Sequence, residues 1–339
     1  MNDNSAQTPA SAWPQLGARA AFEGYQLWRH RCPAFKQSRT VQDSLVISGV
    51  LDLLDEIDVF VFDAFGVLNT GDRVIENAAA TVSALRDRGK RVYVLSNGAS
   101  NDRSGNLKKL TNMGFDFTRE ELLSSRDVCE VALARFPAWW QWGVIGRDEF
   151  EPNQLNVSSM LLADNKDHYD KADAFLFLST AHWSVSRQAL LDTSMAAKTR
   201  TLLIANPDIV APFPSGFSIE PGYFAHVMAD QHRLACHNLV EADLSAQPQG
   251  LDQPFVRFFG KPFVDVYSSM TALIAAAGCH DRSRICMVGD TLHTDILGGH
   301  AAGWRTALVT DYGLFADLDA RECISDCGIV PDWIMPAIG

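Results

Sequence analysis

Apolar and polar residues follow two periods along the chain, one typical of buried strands and the other of amphipathic helices. Unbroken apolar runs predict strands that are buried on both faces, as in a parallel sheet; they lie at 57–65, 91–97, 284–290 and 304–310. Between them, helical stretches are predicted at 76–88, 264–277 and 294–302, with a further amphipathic helix at 16–28. Because strands and helices alternate, we expect an α/β fold with a doubly wound parallel sheet.

The same pattern divides the chain into three parts. Residues 1–53 are predicted to form an N-terminal extension that contains one helix. The doubly wound core is predicted to consist of 54–100 and 256–339. Residues 101–255 are expected to form an inserted α/β domain between these two core segments.

The inserted region has its own strand signals and two segments of loop composition. Strand-like runs occur at 142–145, 174–178 and 201–205. The Pro-rich segment 205–216 predicts a loop, and the polar segment 245–254 predicts a linker or hinge.

Composition narrows the functional classes. The 339 residues carry a net charge of −12, with 47% hydrophobic and 21% charged residues, as in an ordinary globular protein. The lack of a dense basic run argues against nucleic-acid binding. No apolar stretch reaches the ~20 residues that cross a membrane, and the N-terminus lacks the features of a secretory signal. Seven cysteines without regular pairing indicate reduced thiols, so we expect a cytoplasmic protein.

Residues capable of phosphate and metal chemistry follow the predicted core strands. Taken singly, each has an ordinary structural explanation as a turn former, a helix cap or a solvated lysine. In an open parallel sheet, however, ligands bind outside the carboxyl ends of the strands, so we expect these residues to converge. They are Asp63 with Phe65 and Gly66, the pair Ser96 and Asn97, Lys261, and Asp290 with Asp295.

Four sequence motifs resemble those of the haloacid dehalogenase superfamily, in the same order. They are VFVFDAFGVL, YVLSN, GKP and MVGDTLHTDI. The long insertion, the ANPD loop and the GDTLHTDI form are most similar to the class IIA branch, which includes NagD-like phosphatases. The resemblance implies that 101–255 is an α/β cap that selects a small phosphorylated metabolite, and that a homodimer through the cap is possible.

The resemblance also implies a part for each site residue. Asp63 would be the nucleophile, since a carboxylate can attack phosphorus and form an aspartyl phosphate. Mg²⁺ suits a site made of hard oxygen ligands, here Asp63, Asp290, Asp295 and the backbone carbonyl of Phe65. Phosphate would be bound by Ser96, Lys261 and the backbone amides of Gly66 and Asn97.

Phe65 departs from the family pattern. Phosphatases of this family carry a second aspartate two positions after the nucleophile, as the general acid, and phenylalanine transfers no proton. The DAFG sequence is similar to the DAYG of 2-haloacid dehalogenases, whose leaving halide needs no proton. Three functions therefore stay open: a Mg²⁺-dependent phosphatase that is slow or uses His293 as the acid, a dehalogenase- or phosphonatase-like hydrolase, and a weakly catalytic binding module.

Overall fold

Two parallel sheets organise the protein. The computed structural model describes residues 13, 15–35, 37–236 and 253–339. Within them the strands form one sheet of seven strands, one of six, and two short antiparallel pairs. Most of the linker predicted at 245–254 lies outside the described residues.

The strands and helices are numbered here in chain order. The strands are β1 (Leu45–Val46), β2 (Val59–Phe62), β3 (Asn69–Thr70), β4 (Arg73–Val74), β5 (Arg91–Ser96), β6 (Leu122–Ser124), β7 (Trp142–Ile145), β8 (Ser159–Leu161), β9 (Ala174–Phe177), β10 (Leu202–Ile204), β11 (Val210–Phe213), β12 (Gly216–Ile219), β13 (Ala235–Cys236), β14 (Phe255–Phe258), β15 (Ile285–Gly289), β16 (Arg305–Val309) and β17 (Trp333–Met335). The α-helices are α1 (Ala18–Leu27), α2 (Ala78–Asp87), α3 (Arg103–Asn112), α4 (Ser125–Leu133), α5 (Lys166–Lys171), α6 (Val185–Ala197), α7 (Pro221–Gln231), α8 (Val264–Ala276), α9 (Leu297–Ala301) and α10 (Ala320–Cys327).

The larger sheet has the order β1-β17-β16-β15-β2-β5-β6, with every neighbouring pair parallel. All four residues of β2 are buried. Val59 and Val61 pack into one apolar cluster, whereas Phe60 and Phe62 pack into another. Because successive side chains of a strand point to opposite faces, both faces of this sheet are covered. The predicted doubly wound α/β core is confirmed.

The smaller sheet has the order β13-β14-β10-β9-β7-β8 and is also parallel throughout. Its strands β7, β9 and β10 lie where the sequence predicts them. One apolar cluster contains residues of both sheets, including Val61 of β2 and Leu176 of β9. The second sheet is therefore packed on the first through a shared core.

The strand pairing differs from the prediction at both junctions of the insertion. Leu122–Ser124 lies within the predicted insertion, yet it pairs with β5 in the larger sheet. Phe255–Phe258 lies almost wholly within the predicted core, yet it pairs with β10 and β13 in the smaller sheet. The exact division into domains stays a prediction. A three-residue strand such as β6 carries too short an apolar pattern to be recognised from sequence.

Two further segments complete the comparison with the predicted elements. The predicted N-terminal helix is present as Ala18–Leu27. The segment 205–216, predicted as a loop, instead contains β11, which pairs with β12. Pro212 is tolerated there because this ribbon has two strands, and a proline costs no ladder hydrogen bond on the outer side of an edge strand. Among the described residues, none of the helices has the length and apolar character needed to span a bilayer.

Candidate active site

The site residues of the core lie at the carboxyl ends of three neighbouring strands. Asp63 follows β2, Asp290 follows β15, and Ser96 ends β5. The backbone N–H of Asp63 donates to the carbonyl of Val288 at 2.9 Å, which continues the pairing of β2 with β15. Because the strands are parallel, their carboxyl ends meet at one edge of the sheet and bring these residues together.

Three carboxylates form a compact cluster at this edge. Asp63, Asp290 and Asp295 each offer an oxygen, and these oxygens all lie within 4.8 Å of one another. We name them the carboxylate cluster. Burial, together with Asp63 and Asp295, raises the pKa of Asp290 well above its usual value. Burial and Asp295 also raise the pKa of Asp63 to about 6, although Lys261 opposes the shift.

Backbone and hydroxyl donors fix the orientation of the carboxylate cluster. Asp290 accepts hydrogen bonds from the backbone N–H of Leu314 and from the hydroxyl of Thr291, both at 3.1 Å. Asp295 accepts one from the backbone N–H of Thr291, also at 3.1 Å. Asp63 accepts one from the N–H of Ala64 at 2.7 Å. Such bonds stabilise the ionised form and hold each oxygen in place.

Two glycines allow the carboxylates to approach the backbone. A Cβ on Gly66 would lie 2.4 Å from an oxygen of Asp290, and the residue has a left-handed φ of 79°. A Cβ on Gly289 would lie 2.1 Å from the carboxyl carbon of Asp295. A larger residue at either position would displace a carboxylate of the cluster.

Lys261 joins the carboxylate cluster from the smaller sheet, three residues after β14. Its Nζ lies 2.6 Å from an oxygen of Asp63 and 2.6 Å from an oxygen of Asp295. The residue is 1% exposed. Burial opposes its charge, but Asp295 and Asp63 outweigh that effect and raise the pKa of Lys261. Lys261 therefore holds a positive charge beside the predicted nucleophile.

Asn97 and Asp208 form a polar bridge behind Lys261. The side-chain oxygen of Asn97 accepts from the backbone N–H of Lys261 at 2.7 Å. Its Nδ2 donates to the Lys261 carbonyl at 3.0 Å and to the Asp208 carboxylate at 2.7 Å. Burial and the nearby Asp63 raise the pKa of Asp208 to about 8, against the influence of Lys261. The sequence analysis does not place Asp208 in the site. The ANPD loop, which ends at Asp208, is the one feature of the sequence that could have indicated it.

The predicted phosphate-binding groups differ in availability. The Ser96 hydroxyl oxygen accepts from the backbone N–H of Gly98 at 3.1 Å, and among the described residues its own proton has no acceptor. The backbone N–H of Gly66, in contrast, donates to the carbonyl of Asn69 at 2.8 Å. The Gly66 amide is thus already bonded within its own turn, so its binding of phosphate stays a prediction that requires this bond to break.

Phe65 is half-buried and contacts two elements beside the site. The Nζ of Lys109, in α3, lies 4.5 Å from the centre of its ring. The ring of Phe213, at the end of β11, lies 6.2 Å from it, centre to centre. The side chain fills a space between α3 and the β11–β12 ribbon, and it offers no proton to the site. Whether its carbonyl binds a metal stays a prediction.

A cavity of about 20 Å³ lies between α1, the β11–β12 ribbon and the segments that follow strands of both sheets. It is lined by Tyr25, Asp63, Phe65, Asp208, Val210, Ala211, Pro212, Phe217, Asp290, Thr291, Thr294 and Leu314. A volume of this size holds about one water molecule. A phosphate monoester is larger than this volume.

His293, the alternative proton donor, makes its side-chain contacts with helix α1. Its Nε2 lies 2.7 Å from the side-chain oxygen of Gln26, and its ring stacks on that of Tyr25 at 5.5 Å. Its ring also packs edge-on against Phe22 at 5.4 Å. All three contacts are with α1, and the residue is 0% exposed. The structure gives no support to His293 as the missing acid.

The donor set of the carboxylate cluster fits a hard divalent cation. Its ligands are carboxylate oxygens, which Mg²⁺ and Ca²⁺ prefer. Lys261 supplies one positive charge against three carboxylates, so the ionised cluster has an excess of negative charge. A cation held between Asp63, Asp290 and Asp295 would remove this excess.

The motifs around this site also match known families. A family profile described as haloacid dehalogenase-like hydrolase matches residues 60–155, which contain Asp63 and Ser96. A second, described as HAD-hydrolase-like, matches residues 258–332, which contain Lys261, Asp290 and Asp295. The chain belongs to the haloacid dehalogenase-like hydrolases. The segment that contains α1 precedes both matches.

This haloacid dehalogenase-like hydrolase has relatives along most of its length. Over 275 residues it is 26% identical to phosphoglycolate phosphatase 1A of Arabidopsis thaliana, covering 76% of this chain and 69% of the relative. A structure described as a possible sugar phosphatase, from Cytophaga hutchinsonii, is 22% identical with a TM-score of 0.71, covering 87% and 99% of the two chains. NagD of E. coli K-12 is 20% identical with a TM-score of 0.56, covering 83% and 97%. The predicted resemblance to the class IIA branch is confirmed.

Proposed function

We propose that the protein is a Mg²⁺-dependent hydrolase of small phosphate monoesters that works through an aspartyl phosphate on Asp63. The observation that carries this proposal is the carboxylate cluster with the Lys261 ammonium 2.6 Å from Asp63 and Asp295. The printed names of relatives, among them a phosphoglycolate phosphatase, support phosphate as the group transferred. A small phosphorylated metabolite is the substrate class we propose.

The proposed reaction has two steps. In the first, a carboxylate oxygen of Asp63 attacks phosphorus, the bond from phosphorus to the ester oxygen breaks, and the leaving alkoxide takes a proton from solvent water. In the second, water attacks phosphorus, the bond to Asp63 breaks, and inorganic phosphate leaves with the Asp63 carboxylate restored. The attacking water gives up one proton to solvent in this step. Two such steps replace one that has a higher barrier.

The neighbouring residues stabilise these steps by position and charge. Lys261 lies beside Asp63 and offsets negative charge near the reacting phosphorus. The free proton of the Ser96 hydroxyl can bond a phosphate oxygen. When held by Asp63, Asp290 and Asp295, Mg²⁺ reduces the repulsion between the anionic nucleophile and the anionic substrate.

Phe65 favours a second candidate, a hydrolase for substrates whose leaving group needs no proton. General acid catalysis contributes roughly 10²–10⁴-fold in rate, and the ring of Phe65 cannot supply it. An activated leaving group, such as a halide or a phosphonate-like carbon, would suit this site. The lack of an acid is also compatible with a weakly catalytic module that binds metal and ligand. The metal-fitting donor set of the carboxylate cluster leads us to place phosphate monoesters first.

The resemblance to class IIA proteins supports further proposals about organisation. The unit built on the smaller sheet acts as a cap that opens to admit substrate, consistent with a cavity of about 20 Å³ beneath it. Dimerisation through this cap and a cytoplasmic location are proposed on the resemblance and on the composition.

A substrate panel tests the proposed function. Metal-free protein would be assayed for phosphate release from aryl and alkyl monoesters, and for halide release from 2-haloacids, before and after addition of Mg²⁺. We expect phosphate release that depends on Mg²⁺ and disappears in Asp63→Asn. Halide release without a metal requirement would support the second candidate, and binding of Mg²⁺ without any release would support the module.

A further inference from the structure

The N-terminal helix α1 contributes a side chain to the active-site cavity. Tyr25 lines this cavity together with Asp63, Phe65 and Asp290. Helix α1 precedes residue 60, where the match to the family profile begins. The family motifs therefore say nothing about this residue, and its contacts must be judged from the structure alone.

Contacts with both sheets hold α1 in place. On the side of the larger sheet, the ring of Tyr25 stacks on His293 at 5.5 Å. On the side of the smaller sheet, the Nε1–H of Trp28 donates to Asp230 at 3.0 Å, and its ring stacks on His226 at 4.7 Å. Tyr25 is 7% exposed. The aromatic ring is thus fixed before substrate binds, which limits the entropy lost on binding.

The hydroxyl oxygen of Tyr25 accepts one hydrogen bond, which leaves the hydroxyl proton for a second bond. Its oxygen accepts from the backbone N–H of Ile209 at 3.0 Å, the residue that follows Asp208. Within the described residues its own proton has no acceptor. Burial and the nearby Asp208 and Asp290 raise the pKa of Tyr25 well above its usual value, so the hydroxyl keeps its proton.

The other hydroxyl groups that line the cavity are already bonded. The hydroxyl of Thr291 donates to Asp290 at 3.1 Å, and that of Thr294 donates to Asp295 at 3.3 Å. Phe65 has no polar atom in its side chain. Among the hydroxyl groups of the described residues that line the cavity, that of Tyr25 is therefore the one whose proton has no acceptor.

We propose that Tyr25 donates a hydrogen bond to the leaving oxygen of the bound phosphate monoester and is a catalytic residue supplied by the N-terminal extension. This inference rests on the proposed function. As the bond from phosphorus to the ester oxygen lengthens, negative charge develops on that oxygen. A fixed neutral donor stabilises such charge, although it transfers no proton to the alkoxide.

The variant Tyr25→Phe tests the proposal, because it removes the hydroxyl and keeps the stacked ring. The turnover number kcat and KM would be measured with ethyl phosphate and with p-nitrophenyl phosphate. We expect kcat for ethyl phosphate to fall about 10²-fold, as when one oxyanion donor is removed. The p-nitrophenolate ion is stable without a donor, so kcat for that substrate should fall only a few-fold.

Trp28→Phe is the matched control, since Trp28 directly follows α1 and loses one hydrogen bond to Asp230, but it does not line the cavity. We expect the control to change kcat equally for both substrates. An equal fall in kcat for both substrates in Tyr25→Phe would mean a purely structural part for Tyr25 and would overturn the inference. A wild-type protein that binds Mg²⁺ but releases no phosphate from either ester would instead refute the proposed function, and this inference with it.

A second variant covers the case in which Tyr25→Phe does not fold. Incorporation of 3-fluorotyrosine at position 25 keeps the hydroxyl, the ring and the bond from Ile209, and it makes the hydroxyl a stronger donor. Turnover of ethyl phosphate should then rise relative to p-nitrophenyl phosphate. An unchanged ratio in folded protein would count against the inference.

Discussion

The carboxylate cluster and the loop wall of the cavity, defined as Tyr25, Asp208 and Pro212, differ in how the chain builds them. In the cluster, Asp63 and Asp290 directly follow the adjacent parallel strands β2 and β15, and Asp295 lies in the turn of helix after β15. The loop wall comes from the N-terminal helix, the segment between β10 and β11, and β11 itself, and these parts meet through tertiary contacts such as the bond from Ile209 to Tyr25. Both border the same cavity.

The cluster and the loop wall have different parts in the proposed reaction. In the proposed reaction, the cluster and Lys261 would concentrate charge where phosphorus is attacked, in the geometry that the strand ends set. The loop wall borders the same cavity and carries the Tyr25 hydroxyl that we propose bonds the leaving oxygen. We infer that the cluster determines the reaction, whereas the loop wall determines substrate choice and the stabilisation of the leaving group.

The largest expected effect is on the cluster itself. Asp63→Asn removes the proposed nucleophile and should lower Mg²⁺-dependent phosphate release by at least about 10³-fold, since loss of a covalent nucleophile costs up to about 10⁶-fold elsewhere. Asp116→Asn is the control, because Asp116 is exposed and its carboxylate lies 3.4 Å from Arg86 in a surface ion pair. If Asp63→Asn keeps the activity of the control, the cluster does not supply the nucleophile.

The next largest expected effect is a gain in activity on substitution of Phe65, which lies between the two regions. Phe65→Asp places a carboxyl group two residues after the nucleophile and should raise kcat for alkyl phosphates about 10²-fold, the low end of general acid catalysis. p-Nitrophenyl phosphate should gain least. Phe65→Asn is the control, because asparagine has nearly the shape of aspartate but no carboxyl proton to transfer. An equal gain in that variant would show that the smaller side chain, rather than proton transfer, causes the effect.

Lys109 gives this experiment a second control. Its Nζ lies 4.5 Å from the centre of the Phe65 ring, so the new carboxylate would be near an ammonium group. Such a neighbour lowers the pKa of a carboxyl group, so that a smaller fraction carries the proton that a general acid has to give. The gain should therefore be larger when Lys109→Met is added to Phe65→Asp.

The third effect concerns metal binding and stability. Mg²⁺ at about 100 times its Kd should stabilise the folded protein by about 2.7 kcal/mol through mass action, measured as a rise in Tm. Asp290→Asn and Asp295→Asn should each diminish this rise. Asp326→Asn, at an exposed ion pair with Arg19, should leave it unchanged. An undiminished rise in both cluster variants would place the metal elsewhere.

The smallest expected effect is on stability, and it compares Gly66 with Gly89, which both have a left-handed backbone conformation. Alanine at either position costs about 1–2 kcal/mol for the conformation alone, since φ is 79° at Gly66 and 73° at Gly89. The Cβ of Gly89→Ala meets nothing within 4 Å, whereas that of Gly66→Ala would collide with Asp290. Unfolding should show a cost in both variants, but only Gly66→Ala should weaken the Tm rise caused by Mg²⁺. Equal rises would contradict the assigned contact.

The sequence predicts the cluster better than the loop wall for a physical reason. Asp63 and Asp290 follow long apolar strands, and parallel pairing alone brings such positions together. Asp208 and Tyr25 are placed by contacts across more than 100 residues, as in the bond from Asn97 to Asp208. No local period encodes these contacts.

The same limit applies to the strands at the junctions. β6 and β14 are three and four residues long, and the sheet that each joins depends on packing rather than on its own pattern. The central strands β2 and β15 carry a continuous apolar run that already implies burial on both faces. The central strands were therefore predictable, whereas the short strands at the junctions, and the sheet that each joins, were not.

A direct measurement of the aspartyl phosphate tests the central claim. The protein would be mixed with Mg²⁺ and p-nitrophenyl phosphate, quenched in acid during turnover, and digested for mass spectrometry of the peptide that contains Asp63. We predict a phosphoryl group on Asp63 in the wild-type protein, and none in Asp63→Asn, which should also release no phosphate. Steady phosphate release with the phosphoryl group on another residue, or with none on Asp63 at any quench time, would contradict the account.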